Sequence, residues 1–263
     1  MIKAKTKTTD KDWREAIDNI ESIVSKEYID NLARETLEAT KELISNGNNV
    51  IISYSAGKDS IVLEHILRPL GLKSILAYCD LEYPAFMEWV NNNKPKNCEL
   101  INSGIDIDWL SKHEDMLFPD TSAKAGRWYD IVQHKVQNKY IKENKVSHII
   151  LGRRLADGNY CGTDGNGSYK KGECTVVCPI YKWRHEDILA YIHYNKLDLP
   201  SILYDYPDGY RQGTHNWASF ILHDGFTKDQ ALERLWNIDK DIIIKASEKI
   251  KTIKEWYDEH RNN

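Results

Sequence analysis

Ser53-Tyr54-Ser55-Ala56-Gly57-Lys58-Asp59-Ser60 is the stretch of the sequence that decides the fold. The run that precedes it, Val50-Ile51-Ile52, is apolar and β-branched, which is typical of a short buried strand. Between Ile61 and Leu70 the apolar residues recur with the spacing of one helix face. The sequence therefore predicts a strand over 49–54, a turn, and a helix over 58–70.

The residues of this turn are suited to phosphate. Gly57 allows the backbone to come close to a ligand, and the N–H groups at the start of the next helix attract anions together with the helix dipole. The hydroxyls of Ser53, Ser55 and Ser60 add hydrogen-bonding groups, and Lys58 adds a positive charge. We predict a phosphate-binding turn; the alternative is a Ser/Gly turn with a solvated Lys-Asp pair.

The turn differs from a Walker A loop, which requires glycine and Ser or Thr at the positions of Ile52 and Asp59. Ser-x-Gly-Lys-Asp-Ser after a strand instead resembles the pyrophosphate loop (PP-loop) of the adenine-nucleotide α-hydrolase superfamily. The resemblance implies that the chain binds ATP or an adenylyl-sulfate nucleotide and reacts at or near its α-phosphate, with Mg²⁺ neutralising phosphate charge. The implied nucleotide-binding residues are Ser53, Ser55, Ala56, Gly57, Lys58, Asp59, Ser60, Asp80, Gly152 and Arg153.

Polar residues follow two further predicted strands, and the carboxyl ends of parallel strands are where open α/β sheets bind ligands. Asp80 follows the strand predicted over 74–79 and would bind ribose hydroxyls or Mg²⁺; a helix N-cap is the alternative. Arg153 and Arg154 follow the strand predicted over 147–151, where two guanidinium groups can grip phosphate or sulfate. The alternative is that the two arginines lie at the surface and bridge carboxylates. The predicted catalytic residues are Lys58, Asp59, Arg153 and Arg154.

A second stretch narrows the resemblance. Residues 178–188, Cys-Pro-Ile-Tyr-Lys-Trp-Arg-His-Glu-Asp-Ile, resemble a segment shared by phosphoadenylyl-sulfate (PAPS) reductases and the small subunit of bacterial sulfate adenylyltransferase. Residues 199–206 and 209–211 are similar to their Leu-Pro…Leu-Tyr and Gly-Tyr elements. The resemblance covers about residues 30–215. It implies an α/β fold with a doubly wound, mostly parallel sheet, to which this chain adds N- and C-terminal helices, and it implies a homodimer.

The chain departs from this family where the reductases place their reactive thiol. The reductases carry a C-terminal Glu-Cys-Gly-Leu-His segment, whereas Cys178 is the last cysteine of this chain and the final 85 residues have none. Because a thiol must lie near the sulfur that it attacks, the usual reduction is doubtful. We predict a nucleotidyltransferase that adenylylates an unidentified acceptor and releases pyrophosphate. The alternatives are a divergent sulfonucleotide reductase or sulfurtransferase that uses Cys161, and a non-catalytic nucleotide-binding module.

Further candidates lie outside the motifs. Residues 152–175 are rich in glycine and predict a flexible loop, such as a lid. Cys161, Cys174 and Cys178 fall close together, so a metal or cluster site stays open beside independent reduced thiols, although no metal site is assigned. The candidate substrate-binding residues are Lys135, Lys170, Lys171, Arg184, Arg211 and His215.

Length and composition set wider limits. For the 263 residues we predict an N-terminal helical extension (1–27), a nucleotide-binding domain (28–215) and C-terminal helices (216–263). A net charge of −4 argues against bulk electrostatic binding to nucleic acid. The absence of a 20-residue apolar run and of an apolar N-terminal segment predicts a cytoplasmic protein without a membrane partner.

Overall fold

A computed structural model describes residues 8–44, 49–163, 166–222 and 225–261. The strands are β1 (Val50–Ser53), β2 (Lys73–Tyr78), β3 (Cys98–Asn102), β4 (His148–Ile150), β5 (Ser168–Lys171) and β6 (Cys174–Val177). The helices are α1 (Asp10–Asp18), α2 (Ile20–Ile23), α3 (Lys26–Ile44), α4 (Lys58–Leu67), α5 (Pro84–Asn93), α6 (Ile107–Ser111), α7 (Ser122–Trp128), α8 (Lys135–Glu143), α9 (His185–Asn195), α10 (Ser201–Tyr204), α11 (Gly209–Gln212), α12 (Lys228–Ile238), α13 (Lys240–Ser247) and α14 (Lys251–His260).

The strands form one six-stranded sheet in the order β3-β2-β1-β4-β6-β5. β1 runs parallel to β2 and β4, and β4 runs parallel to β6, so Ile52 lies opposite Ile150. The α/β class with a mostly parallel sheet, predicted from the sequence, is confirmed. The chain leaves β1 towards β2 and later returns to β1's other side as β4, which makes the gap between β1 and β4 a switch point. Ligands of such sheets bind at the carboxyl ends of the strands at that point.

Burial of apolar side chains explains why this sheet forms. All three residues Val50, Ile51 and Ile52 are buried, as expected of a parallel strand covered by helices. Helix α9 contacts α1, α2, α3 and α4, so the N-terminal helices share a core with the sheet. Members of this core with no exposed surface are Ile29, Val62, Leu63, Leu67, Ile150, Ile180, Ile188 and Ala190.

The glycine-rich segment holds more regular structure than predicted. Residues 168–171 form β5, which pairs antiparallel with β6 through a tight turn. Gly172 lies in that turn at φ 63°, a conformation that glycine adopts without steric cost. The turn chemistry at one glycine therefore extends the sheet where glycine content alone predicts a loop. Residues 164 and 165 of this segment lie outside the described residues.

The contacts divide the chain into two compact units. The first comprises Met1–Leu76, Glu88–Leu100 and Gln137–Thr214 and contains the core described above. The second comprises Ala77–Met87, Ile101–Val136 and His215–Asn263. In the second unit α12, α13 and α14 pack together, and no helix in the described ranges of the chain is long and apolar enough to span a bilayer. The predicted domain boundaries stay a prediction, because contacts do not show which segment folds alone.

Replacing Leu63 by alanine should lower the free energy of unfolding by about 2–5 kcal/mol, because the side chain has no exposed surface and its loss leaves a cavity. Leu43→Ala is the matched control, since that leucine is 51 % exposed and its truncation should cost less than about 0.5 kcal/mol. Urea denaturation of both variants measures the difference. Equal losses would contradict the core as described.

Candidate functional site

The turn after β1 is shaped by Ala56 and Gly57. Ala56 has φ 55°, which turns the chain sharply, and Gly57 then caps α4 with an extended backbone. A Cβ atom at Gly57 would overlap the Oγ1 atom of Thr214 and lie 3.3 Å from Ser55 Oγ. The close packing at this position therefore favours glycine. The turn places the start of α4 at the switch point of the sheet.

Three serines hold the turn in place. Ser60 Oγ donates to the carbonyl of Gly57 at 2.9 Å and accepts from the N–H of Ser55 at 3.2 Å. Ser55 Oγ lies 3.2 Å from Ser60 Oγ, and Ser53 Oγ accepts from Gln137 Nε2 at 2.8 Å. The hydroxyls predicted to face phosphate thus also fix the turn, so the loop's shape is set by its own side chains.

Tyr204 contacts the first amide of α4. The N–H of Lys58 donates to the Tyr204 hydroxyl at 2.8 Å, and burial raises the pKa of Tyr204. The hydroxyl is therefore neutral, and its oxygen lies at a helix N-terminus where an anion would be stabilised. The sequence analysis missed this contact because Tyr204 lies 146 residues along the chain from Lys58.

Asp59 lies between two cations. Its Oδ2 atom accepts from Lys58 Nζ at 2.7 Å, and its Oδ1 atom accepts from Arg154 Nε at 2.7 Å. A Cβ atom at Gly152 would lie 3.2 Å from the carbonyl carbon of Asp59, so the segment after β4 packs tightly on the first turn of α4. These contacts join the two chain segments that emerge at the switch point.

Arg154 has no exposed side-chain surface. Besides Asp59, its guanidinium contacts Asp157 Oδ2 at 2.9 Å and the carbonyl of Trp183 at 3.3 Å. Of the two adjacent arginines predicted to bind phosphate, Arg153 is the one with exposed surface, and it donates to the Tyr169 hydroxyl at 2.8 Å. Arg154 is therefore placed to orient Asp59, and Arg153 is placed nearer to solvent.

His185 completes this charged cluster, whereas the sequence suggested for it only the place of a fourth ligand beside Cys161, Cys174 and Cys178 in the metal site left open there. It is 2 % exposed, and its Nδ1 atom lies 3.3 Å from a terminal nitrogen of Arg154. Burial, with the positive charge of Arg154 as a second cause, lowers the pKa of His185 to about 4. The imidazole is accordingly neutral near pH 7. Its place two residues after Trp183 in the second resembling stretch is the sequence signal that points to it.

Three predicted residues lie in the second unit. Asp80 is exposed, and its Oδ1 atom accepts from Asn102 Nδ2 at 2.6 Å. The His215 ring meets the ring of Tyr83 at 5.9 Å. Lys135 is exposed at the start of α8. Their predicted roles towards nucleotide or substrate stay predictions.

The remaining predicted substrate-binding residues are placed in two ways. Lys170 and Lys171 are exposed on β5, where Lys171 lies opposite Cys174 at the amino end of β6. The amino ends of the parallel strands lie on the side of the sheet opposite to the turn that follows β1. Arg184 pairs with Asp187 at 2.6 Å at the start of α9, and Arg211 lies 3.4 Å from Asp10. The four side chains therefore lie in separate places, and the structure does not gather them around the charged cluster of Asp59.

The thiols are buried. Cys161, the predicted alternative nucleophile, is 1 % exposed, and burial raises its pKa. Burial also raises the pKa of Cys178 to about 12. Neither environment favours the thiolate that attacks a sulfonucleotide. Within residues 8–44, 49–163, 166–222 and 225–261, no group of three or more His, Cys, Asp or Glu side chains is arranged to hold a metal ion.

Arg154→Met should lower the free energy of unfolding by roughly 3–5 kcal/mol, because it leaves the carboxylate of Asp157 without its buried cation and that of Asp59 with Lys58 alone. Lys26→Met is the control: that side chain is 60 % exposed and its partner Asp30 is 46 % exposed, so the loss of this pair should cost below about 1 kcal/mol. Urea denaturation distinguishes the two. A loss for Arg154→Met as small as the control's would show that the cluster does not organise the fold.

The low pKa of His185 makes stability depend on pH. Between about pH 6.5 and pH 4 the unfolded chain protonates this imidazole and the folded chain does not, so the unfolded state binds more protons and stability falls as pH falls. The change across this window should be roughly 3 kcal/mol. Denaturation of wild type and His185→Gln at several pH values measures it, because the variant lacks this dependence. Parallel curves for the two proteins would refute the prediction.

Comparisons with known proteins agree with this arrangement. The model of the phosphoadenosine phosphosulfate reductase domain matches residues 49–212, more than half of the chain. The tRNA-5-methyluridine(54) 2-sulfurtransferase of Pyrococcus horikoshii is 24 % identical over 136 residues, which are 50 % of this chain and 43 % of that protein, so the chain spans less than half of this relative.

One solved structure supports the fold, and a second is similar in part. The phosphoadenylyl-sulfate (PAPS) reductase from Candida auris superposes with a TM-score of 0.50 at 16 % identity, covering 68 % of this chain and 91 % of that one. NMN synthetase from Francisella tularensis gives a TM-score of 0.47 at 13 % identity over 89 % of this chain and 94 % of that one. With the family model matched across the turn after β1 and the segment after β4, the chain belongs to the phosphoadenosine phosphosulfate reductase domain family.

Proposed function

We propose that the chain binds ATP at the turn formed by residues 53–60 and transfers the adenylyl group to an acceptor, with release of pyrophosphate. The observation that carries the proposal is the turn itself, which places the first amides of α4, two serine hydroxyls and Lys58 at the switch point of the sheet. Membership in the family supports nucleotide binding there. The burial of Cys161 favours an oxygen acceptor over a protein thiol.

The donors of the turn would hold the leaving pyrophosphate. Lys58 and the amides of residues 57–60 supply positive charge and N–H groups, and Ser55 and Ser60 supply hydroxyls. The N–H of Lys58 donates to the Tyr204 hydroxyl and would donate to a phosphate oxygen instead when the nucleotide binds. Preorganised donors of this kind stabilise the charge that develops on a leaving group. Mg²⁺ would be held chiefly by the phosphates, as is usual for this ion.

The charged cluster would position these donors. In the proposed reaction an acceptor oxygen bonds to the α-phosphorus, the bond from that phosphorus to the bridging oxygen breaks, and pyrophosphate leaves with the electron pair. Asp59 accepts hydrogen bonds from both Arg154 and Lys58, so Asp59 and Arg154 would act as positioning residues for Lys58. Arg153, with exposed surface at the same edge of the sheet, would face the developing charge.

Sulfur transfer is the second candidate, because the Pyrococcus horikoshii relative is a tRNA sulfurtransferase. It requires a sulfur nucleophile. Since Cys161 is buried and its pKa is raised, an external thiol would have to serve. The two candidates share the nucleotide and differ in the atom that attacks it.

Lys58→Ala should reduce pyrophosphate release from Mg²⁺-ATP by about 10²–10³-fold, because it removes one preorganised charge from the leaving group. Assays with and without sulfate as acceptor measure pyrophosphate, and parallel assays measure thiol-dependent release of sulfite from adenylyl-sulfate nucleotides. Lys41→Ala, at an exposed lysine of α3, is the control.

The outcomes separate the candidates. Pyrophosphate without sulfite supports adenylyl transfer. Sulfite that requires an added thiol and persists in Cys161→Ser supports sulfur chemistry with an external nucleophile. Tight nucleotide binding with neither product supports a non-catalytic module, and unchanged nucleotide affinity in Lys58→Ala would contradict the assignment of the turn.

A further inference from the structure

Two buried N–H groups beside Lys58 have no hydrogen-bond partner among the described residues. They are Trp13 Nε1, on α1, and His185 Nε2, on α9. The two side chains are 1 % and 2 % exposed. Leaving such a group buried and unsatisfied costs about 1–3 kcal/mol, and nearly all buried polar groups have a protein, water or ligand partner. Two of them on neighbouring rings therefore indicate a bound group.

Both atoms are donors. The Trp13 nitrogen can only donate. The guanidinium of Arg154 also can only donate, and it faces His185 Nδ1 at 3.3 Å, whereas Asp157 Oδ1 lies 3.9 Å from that atom, beyond hydrogen-bond distance. Nδ1 is therefore the acceptor for Arg154. The single proton of the neutral imidazole then lies on Nε2. A partner for these two groups must offer hydrogen-bond acceptors.

The two donors are close together and next to a charge. The Trp13 and His185 rings meet edge to face, with 4.8 Å between their centroids. That spacing keeps the two nitrogens within the span that a tetrahedral oxyanion bridges by two hydrogen bonds of about 2.9 Å. Lys58 Nζ lies 5.7 Å from the centre of the Trp13 ring. An ammonium and two N–H groups without a partner among the described residues therefore lie close together.

We propose that Trp13, His185 and Lys58 bind a tetrahedral oxyanion, which is a sulfuryl or phosphoryl group of the substrate or the free ion. The neighbouring charges are balanced, since Lys58 and Arg154 face the carboxylates of Asp59 and Asp157. Oriented neutral N–H groups therefore supply most of the recognition. Trp13 lies outside the matched residues 49–212, so this site is a contribution of the N-terminal helix. It does not require that the turn at 53–60 bind a nucleotide.

Calorimetric titration of the full chain with inorganic sulfate and with inorganic phosphate tests the site. Wild type should bind at least one ion saturably, and Trp13→Phe, which removes the N–H group, should bind it at least tenfold more weakly. Trp183→Phe is the matched control, because Trp183 is equally buried and its Nε1 atom already donates to Thr36 Oγ1 at 3.1 Å. The control should bind as wild type does.

A spectroscopic measurement covers the case in which Trp13→Phe folds poorly. The indole N–H resonance of Trp13 in the wild-type ¹H–¹⁵N spectrum should shift saturably with the ion and not with chloride. No saturable shift at millimolar concentrations, or the same shift with chloride, would overturn the proposal, since water alone would then satisfy the donors.

Ser60→Ala separates this site from the turn. Ser60→Ala removes a hydroxyl that holds the turn carrying Lys58, so it should weaken oxyanion binding less than Trp13→Phe does. Binding that is lost in Ser60→Ala and retained in Trp13→Phe would place the ion in the turn and refute the proposal. Wild type that binds sulfate or phosphate through Trp13 but binds no ATP would contradict the proposed function alone.

Discussion

The carboxylate of Asp59, held between Lys58 and Arg154, is the contact on which the candidate site depends. It joins the first turn of α4 to the segment after β4, the two segments that emerge at the switch point of the sheet. A guanidinium without exposed surface is tolerable only if its charge is matched, and Asp59 and Asp157 provide that match. Sequence position alone makes Arg154 resemble a ligand of phosphate, whereas its burial makes it a support for the residue that orients Lys58.

The same cluster influences the protonation state of His185. Arg154 next to His185 disfavours a second positive charge, which adds to the effect of burial and keeps the imidazole neutral. A row of rings then links His185 to the turn: Trp13 meets His185 at 4.8 Å and Tyr210 at 5.8 Å, and Tyr210 meets Tyr204 at 5.2 Å. Tyr204 ends the row at the amide of Lys58. Helices α1, α9, α10 and α11 thus converge on the start of α4.

Local patterns were enough to predict the strand, turn and helix around Gly57, because each depends on neighbouring residues. The motifs around Gly57 and in residues 178–188 identified the family, and the resemblance to it implied the mostly parallel sheet. They could not predict the contact between Tyr204 and Lys58 or the burial of Arg154, which depend on packing between distant segments. The antiparallel strand β5 was missed since its signal is one turn at Gly172, and its geometry places Lys171 at the sheet edge away from Gly57.

The environment of the thiols bears on the chemistry that such a site can perform. Burial raises the pKa of all five cysteines, Cys79, Cys98, Cys161, Cys174 and Cys178. A thiol acts as a nucleophile only as the thiolate, so each of these side chains is disfavoured in that role. Apart from the Asp59 carboxylate, which is paired with Lys58 and Arg154, the groups gathered at the switch point are hydrogen-bond donors and cations, which can stabilise a leaving group. A reaction at this site would therefore take its nucleophile from the second substrate, which is the arrangement that adenylyl transfer to an acceptor requires.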